Sequence, residues 1–301
     1  MDATEQFVGL QRRLLAHYGV TASSRFVDLA QPQMRAHVLE AGSGEPLVLI
    51  HGGDGEGVNW AALMGLLKSH ATLYAVDRPG FGLSDAFDYR GVELRQHAAD
   101  FGASLLDALG LESATLVGGS MGGFFSLAVA LAHPERVRRV VLTGYAVGLV
   151  SDVPLPLRII GGIPGLSQRF MNERPSMEAQ LKQYRGMFHV DVDRIPPLYF
   201  ETRIAGIGLP SEQGTWAALL PRITGLCGLR PGVYLGDDLA RLPMPVLVMM
   251  GDHDMAPVEA VKAAVAGIPD GRFEFMPGVG HFPYLEAPDR TAELILEHLR
   301  R

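Results

Sequence analysis

Ser120 is the residue of this chain best placed to act as a nucleophile. It lies in the pattern Gly118-x-Ser120-x-Gly122, between an apolar run at 114–117 and a helical pattern at 124–132. A serine at this spacing occupies a strained turn between strand and helix and exposes its hydroxyl, and its neighbours must be small because the chain packs tightly there. The pattern predicts a nucleophilic serine; the alternative is a glycine-rich turn with a passive serine.

A serine hydroxyl is a weak nucleophile at neutral pH and needs a base that a third group orients. In a strand–turn–serine arrangement the expected order along the chain is serine, acid, histidine. Of the ten histidines, His281 alone follows the last predicted strand in a glycine-flanked loop, and we predict that it is the base. Asp252 and Asp254 follow the predicted strand 246–250. We choose Asp254 as the acid because it lies further along the loop and can reach towards His281, and we leave Asp252 a turn-capping role.

The three residues follow predicted strands in an alternating pattern of strands and helices. The strands are predicted at 47–50, 72–76, 114–117, 137–143, 246–250 and 272–276, and the helices at 59–68, 92–109, 122–132, 257–266 and 288–300. Most of the strands are continuous apolar runs, as expected when both faces of a parallel sheet are covered. The alternation predicts a doubly wound α/β sheet, in which the chemistry gathers at the carboxyl ends of the strands.

The chain before the first parallel strand follows a different pattern. Runs at 26–29 and 34–39 are expected to form an antiparallel edge pair. Residues 4–18 are expected to form a short helix outside the core.

The segment 145–242 interrupts the alternation. It is rich in proline, has only short helical patterns and lacks strand signals, so we predict a helical cap, or lid, inserted between core segments 1–144 and 243–301. Its apolar side chains are expected mostly to pack the cap and in part to line a pocket for an apolar acyl or alcohol group. They are Ile159, Ile160, Leu166, Phe170, Met171, Met177, Met187, Phe188, Leu198, Tyr199, Trp216 and Leu219.

The composition limits the class of protein. With 301 residues, of which 48% are hydrophobic and 20% charged, the chain is long and apolar enough to bury a large core. Its formal net charge of −7 argues against nucleic acid as a partner. The single cysteine, Cys227, excludes a disulfide framework and a zinc site built from cysteines.

Signals for export, membrane insertion or cofactor binding are not evident in the sequence. The first residues are acidic and lack the features of a signal peptide, and no stretch reaches the roughly 20 apolar residues of a membrane span. We therefore expect a cytoplasmic protein without a membrane span that acts on a small-molecule substrate, and we leave a homodimer open. We expect neither a metal nor an organic cofactor, because His51, His253 and His281 follow separate strands and form no ligand cluster.

Five motifs stand in a characteristic order along the chain. They are His51-Gly52-Gly53, the run Asp-Arg-Pro-Gly-Phe-Gly-Leu-Ser-Asp at 77–85, the run from Gly118 to Gly123, the run 251–254, and Gly280-His281 with Glu286 and Pro288 beyond. In this order and spacing they resemble the α/β-hydrolase superfamily. The resemblance implies that family's fold, a triad of Ser120, Asp254 and His281, and a helical cap over the site.

The resemblance also assigns roles to residues near the nucleophile. The oxyanion hole would be formed by the backbone N–H of Met121, directly after the nucleophile, and that of Gly53, in the loop after the first parallel strand. His51 usually braces this loop within the family, so we expect a structural role rather than that of a second base. Asp77 and Arg78 are expected to shape a turn rather than to hold substrate.

The residue type at position 120 bears on the reaction. Members of the family that open epoxides or displace halide resemble this chain but use aspartate at the position of Ser120. The remaining chemistry is acyl transfer to water, with esters, lactones and thioesters all suitable substrates. We predict a serine hydrolase that cleaves a small, largely apolar carboxylic ester or lactone through an acyl-enzyme on Ser120.

A narrower likeness supplies the main alternative. The chain layout is also similar to the carbon–carbon bond hydrolases that cut vinylogous diketo acids from aromatic ring cleavage, and Arg203 falls where those enzymes carry an arginine that binds the substrate carboxylate. The chain departs from them at Gly119, where they usually have asparagine, and at Phe282, where they usually have tryptophan. Arg203, Phe282 and Trp216 are therefore candidate substrate contacts, and a salt bridge of Arg203 with Glu201 is the other interpretation of the arginine.

A non-hydrolytic protein of the same fold is the remaining hypothesis. It would be a ligand-binding receptor or a cyclase that uses the pocket without an acyl-enzyme. The presence of all three residues of the predicted triad favours the hydrolase, because a binding protein does not need them.

Overall fold

The computed structural model describes residues 2–53, 55–171 and 176–301, without the side chains of 170 and 171. The strands are β1 (Ser23–Leu29), β2 (Met34–Gly42), β3 (Glu45–Ile50), β4 (Ala71–Val76), β5 (Ala114–Gly118), β6 (Val137–Thr143), β7 (Thr224–Gly225), β8 (Gly228–Leu229), β9 (Val246–Gly251) and β10 (Gly271–Met276). Among the described residues, eight of them form one sheet in the order β1-β2-β4-β3-β5-β6-β9-β10, and β7 pairs with β8 separately.

The main sheet is parallel except at one edge. β1 pairs antiparallel with β2, and β2 pairs antiparallel with β4, whereas the neighbours from β4 to β10 in the sheet run parallel. The predictions of a doubly wound α/β sheet and of an antiparallel pair at its edge are confirmed. Parallel neighbours bring their carboxyl ends to the same edge, so the loops after β3, β5 and β9 lie near each other.

Helices cover both faces of the sheet. They are α1 (Ala3–His17), α2 (Ala61–Leu67), α3 (Leu94–Ala108), α4 (Met121–Ala132), α5 (Leu155–Gly162), α6 (Leu166–Met171), α7 (Met177–Gly186), α8 (Pro197–Ile207), α9 (Thr215–Ile223), α10 (Val258–Ala266), α11 (Pro283–Glu286) and α12 (Pro288–Leu299). Single 3-10 turns lie at Gly57–Trp60, Pro134–Arg136, Val192–Arg194 and Gly236–Arg241.

The strand sequences explain why both faces are covered. Successive side chains of a strand point to opposite faces, and in β3 both sets are apolar. Val48 and Ile50 belong to one buried cluster, which includes side chains of α3 and α4, and Leu47 and Leu49 belong to a second, which includes side chains of α2 and α12. The continuous apolar runs of the sequence therefore correspond to strands with a core on each side.

Residues 144–245, called the inserted segment below, lie between β6 and β9 in the chain. The described part of this segment contains α5 to α9, the β7–β8 ladder and no strand of the main sheet. The division of the chain at 145 and 242 stays a prediction. Phe170 and Met171, predicted to contribute apolar side chains to this segment, lie outside the described side chains.

The N-terminal helix corrects one expectation. Helix α1, which begins with a capping box between Asp2 and Glu5, was expected outside the core, but Phe7 is fully buried and Leu14 and Leu15 are buried as well. The expectation was wrong because this side of α1 contacts α8 and α2. None of the described helices combines the length and apolar character needed to cross a membrane.

Candidate active site

Ser120 lies on a sharp turn between β5 and α4. Its φ of +52° is in the left-handed region, which side-chain-bearing residues rarely adopt. The turn fits only because its neighbours are glycines: a Cβ on Gly122 would lie 1.8 Å from the carbonyl oxygen of Ile50, and one on Gly118 would lie 2.4 Å from that of Gly122. The serine is held at the carboxyl end of the central strand, with the N-terminus of α4 directly behind it.

Asp254 and His281 come together although 27 residues separate them. Their side chains are fully buried, and Nδ1 of His281 lies 2.6 Å from Oδ1 of Asp254. The carboxylate also accepts the N–H of Met255 at Oδ1 and, at 2.7 Å, the N–H of Tyr145 at Oδ2. With Nδ1–H donating to the carboxylate, Nε2 of the ring is the acceptor nitrogen, as a general base requires.

The acceptor nitrogen of His281 has no hydrogen-bond partner among the described residues. Such bonds to a nucleophile are often long in enzymes without substrate. Ser120 lines the same cavity as Phe188 and Phe282. Phe188 stacks on the imidazole at 5.5 Å and 14°, and its carbonyl oxygen accepts the N–H of His281 at 3.0 Å. The inserted segment thus fixes the plane of the ring.

The loop after β3 lies against the nucleophile. A Cβ on Gly52 would lie 3.3 Å from Cβ of Ser120, and one on Gly53 would lie 2.4 Å from the ring of Trp216. Met121 is the first residue of α4 and is buried, so its N–H is one of the helix's free N-terminal donors. Met121 thus directly follows Ser120 at the start of α4, and Gly53 lines the same cavity as Ser120, whereas their role as oxyanion donors stays a prediction.

His51 and Arg78 form hydrogen bonds that hold the loop after β3 in place. Nδ1 of His51 donates to the carbonyl of Gly52 at 2.8 Å, and its Nε2 accepts the N–H of Arg78 at 2.9 Å. Burial, followed by the charge of Arg78, lowers the pKa of His51 well below its usual value. The guanidinium donates to the carbonyl oxygens of His51 and Gly52. Both ring nitrogens of the neutral imidazole are occupied, in line with the expected bracing role.

Glu286 is a site residue to which sequence reasoning gave no role. Its buried carboxylate accepts the N–H of Gly280, next to His281, at 2.8 Å and the N–H of Asp191, in the inserted segment, at 2.9 Å. Burial raises the pKa of Glu286. The residue ties the histidine loop to the inserted segment. Its partners lie six and 95 residues away, and no short pattern marks such contacts.

The cavity in front of Ser120 is lined mainly by apolar side chains. Its described lining residues are Gly53, Ser120, Tyr145, Val147, Asp152, Val153, Pro154, Leu157, Gln183, Met187, Phe188, Trp216, Leu220, Ile223, Thr224, Leu229, Met255 and Phe282. Trp216 and Phe282, both predicted substrate contacts, are among them. Asp152 is the one charged side chain in this set, which contains no lysine or arginine.

Arg203, the third predicted contact, is not among the described residues of that cavity. It is 3% exposed, and Nη1 pairs with Glu56 and, at 3.1 Å, with Glu212. Its described ion pairs are with these two carboxylates and not with Glu201, the partner considered from the sequence. Among the described residues no group of three or more His, Cys, Asp or Glu side chains is arranged to hold a metal ion.

Comparison with known proteins gives two kinds of relative. A family model described as "Alpha/beta hydrolase family" matches residues 47–294. The 2-hydroxy-6-oxo-6-(2'-aminophenyl)hexa-2,4-dienoic acid hydrolase of Metapseudomonas resinovorans is 30% identical, over 92% of this chain and 91% of its own length. The 2-hydroxy-6-oxo-6-phenylhexa-2,4-dienoate hydrolase of Burkholderia cepacia is also 30% identical, over 93% and 97%. Carboxylesterase CesB from Bacillus subtilis has a similar structure, with a TM-score of 0.78, 22% identity and 99% of both chains covered.

Proposed function

The chain belongs to the alpha/beta hydrolase family and is a hydrolase, and from that premise we propose that it cleaves a small, largely apolar carboxylic ester or lactone. The proposal assigns Ser120 as nucleophile, His281 as base and Asp254 as the group that orients His281. Geometry supports it: Ser120 lies on a strained turn and lines an apolar cavity, and a buried Asp–His pair follows strands of the same sheet.

In the proposed mechanism His281 Nε2 takes the proton of Ser120 as Oγ attacks the ester carbonyl. The N–H groups of Gly53 and Met121 stabilise the oxyanion, and Asp254 stabilises the imidazolium. Collapse of the tetrahedral intermediate breaks the bond to the alcohol oxygen, which receives the proton from His281. Water, deprotonated by His281, then attacks the acyl-enzyme, and the acid leaves as Ser120 regains its proton.

We choose an uncharged ester or lactone as the substrate class because of the charges that line the cavity. The two named relatives act on dienoates, which bear a carboxylate, and burying a carboxylate in an apolar cavity without a cation is costly. Here the described lining contains Asp152 and no lysine or arginine. Arg203 is already paired with Glu56 and Glu212. This arrangement favours an uncharged substrate over a carboxylate-bearing one.

Hydrolysis of a carbon–carbon bond is the second candidate. It is favoured by the names of the relatives, which cover nearly the whole chain at about 30% identity. The same serine, base and oxyanion donors would act on a vinylogous diketo acid. The two candidates differ in whether the substrate brings a carboxylate into the cavity.

A matched pair of esters tests the proposal. p-Nitrophenyl butyrate and mono-p-nitrophenyl succinate have acyl chains of equal length, and only the second ends in a carboxylate. We expect kcat/KM for the succinate to be at least about tenfold lower, because its carboxylate is poorly solvated in the apolar cavity. A tenfold difference corresponds to about 1.4 kcal/mol. A vinylogous diketo acid is assayed beside them, and Ser120→Ala is the control for each substrate.

The outcomes separate the candidates. Equal turnover of the two esters would contradict the preference for an uncharged substrate. Faster cleavage of the diketo acid than of any ester would contradict the ester proposal and favour the second candidate. If the wild-type protein cleaves none of the substrates and a fluorophosphonate probe does not label Ser120, the hydrolytic mechanism itself is wrong and a non-hydrolytic role follows.

A further inference from the structure

A cluster of buried charges lies outside the proposed triad and joins three segments of the chain. Arg203 comes from α8, Glu56 from the loop after β3 and Glu212 from the loop after α8. Their side chains are 4%, 0% and 4% exposed. Burying ionisable groups at this depth is costly unless they are paired, and no step of the proposed mechanism uses any of the three.

One face of α8 is shaped to receive the loop after β3. Tyr199, Arg203 and Gly206 are spaced four and three residues apart and so lie on the same side of the helix. The hydroxyl of Tyr199 accepts a hydrogen bond from Nδ2 of Asn59 at 3.0 Å. A Cβ on Gly206 would lie 1.6 Å from Oε1 of Glu56, so only glycine lets this carboxylate approach the helix.

The same loop is anchored to the core at its far end. The N–H of Gly57 donates to Oδ1 of Asp77 at 2.6 Å. Glu212 connects the cluster to the neighbouring loop, because its Oε1 accepts the N–H of Gly82 at 3.0 Å. Glu56 therefore lies between an anchor on the core and an ion pair on the inserted segment.

We infer that Arg203 is a positioning residue: by holding Glu56, three residues after Gly53, it fixes the loop that supplies the proposed oxyanion donor. The inference rests on the proposed function, because the position of Gly53 matters for rate only if an oxyanion forms at Ser120. It assigns Arg203 a role different from contact with a substrate carboxylate.

This role predicts a particular kinetic effect. Oxyanion donors act on the transition state, and a displacement of about 1 Å costs about a hundredfold in rate. Arg203 is not among the described residues that line the cavity, so we expect ground-state binding not to depend on it. Disturbing the cluster should lower kcat by about tenfold to a hundredfold and leave KM within about twofold.

The experiment compares variants of the full chain with p-nitrophenyl butyrate as substrate. Arg203→Met leaves two buried carboxylates without their cation and is expected to lower stability. A triple variant, Glu56→Gln, Arg203→Met and Glu212→Gln, removes the three charges together, so that neither carboxylate is left buried without its cation. Glu201→Gln, an exposed position of the same helix, is the matched control. Circular dichroism melting identifies the variants that are folded.

A transition-state analogue supplies a second measurement. A boronic acid adds to Ser120 to form a tetrahedral anion, which accepts hydrogen bonds from the oxyanion donors. An ether of similar shape does not react with Ser120 and binds the cavity without these hydrogen bonds. In the folded triple variant we expect affinity for the boronic acid to fall in parallel with kcat/KM, and affinity for the ether to stay unchanged. Glu201→Gln should match the wild type in both.

Each outcome bears on the inference. If the folded triple variant keeps wild-type kcat and boronic acid affinity, Arg203 does not position the loop. If KM for the neutral ester rises and kcat does not change, Arg203 acts on substrate binding instead, and the inference is wrong. Failure of the wild-type protein to hydrolyse any ester is a different result, since it would contradict the proposed function itself.

Discussion

Gly122 is the residue at which β3, the Ser120 turn and α4 come closest. A Cβ there would lie 1.8 Å from the carbonyl oxygen of Ile50 and 2.7 Å from that of His51. These are backbone atoms of a central strand, so they cannot move aside as the end of a flexible side chain can. The glycine is required by this close approach, since its φ is not in the left-handed region.

Gly122→Ala is therefore expected to destabilise the fold by about 3 kcal/mol or more and to abolish ester hydrolysis. Helix propensity alone would predict the opposite sign, because alanine is favoured over glycine in a helix by up to about 1 kcal/mol. Gly9→Ala, in α1 with nothing within 4 Å of the added methyl group, is the control and should be mildly stabilising. Urea unfolding measures both, and equal effects would contradict the argument.

At the scale of a whole element, helix α1 packs a buried face against the rest of the protein. Phe7, Leu14 and Leu15 are buried, and the helix contacts α8 of the inserted segment. The apolar residues recur seven and eight positions apart, the spacing of a helix with one buried face. The helix is part of the core that supports α8, and with it the Arg203 cluster.

Phe7→Ala should lower the free energy of unfolding by about 3–5 kcal/mol, the usual cost of removing a fully buried phenyl ring. Leu10→Ala, at a half-buried position of the same helix, should cost clearly less. Both are measured by urea unfolding at pH 7.5. A cost for Phe7→Ala no larger than that for Leu10→Ala would mean that α1 is docked only loosely.

Sequence patterns predict the local features of the fold and of the candidate site, but they do not predict the contacts between distant segments of the chain. Ser120 and His281 could be proposed as site residues because each lies in a short glycine-flanked stretch that follows a strand signal. Glu286, Glu56 and Glu212 could not, because a carboxylate gains its role only from partners that the fold brings together, 95 residues away for Asp191 and 147 for Arg203. No periodicity records such a pairing.

At the scale of the whole molecule, buried ionisable groups make stability depend on pH in two opposing ways. Burial lowers the pKa of His97 and of His298 to about 4, and that of His51 well below its usual value. Burial raises the pKa of Glu56 and of Glu286. The histidines favour folding above the unfolded pKa of about 6.5, whereas the two carboxyls lose their contribution as pH rises above the ordinary carboxyl range. Between these limits the two effects oppose each other, because raising the pH strengthens the contribution of the histidines and weakens that of the carboxyls.

His97 allows the acid side of this balance to be measured. Its ring stacks on Phe87 at 4.6 Å, and besides burial the charge of Arg78 lowers its pKa to about 4, against a smaller opposing effect of Asp100. The stabilisation that the neutral ring provides is complete above the pKa of the unfolded state and is lost as pH falls through the pKa of the folded state. The free energy of unfolding should therefore have lost about 3 kcal/mol from this residue by pH 4. His97→Phe, which preserves the stack, should remove that part of the loss in urea unfolding between pH 7.5 and 4, whereas His253→Gln, at an exposed ring, should not. An unchanged pH dependence in His97→Phe would show that folding does not lower the pKa of His97.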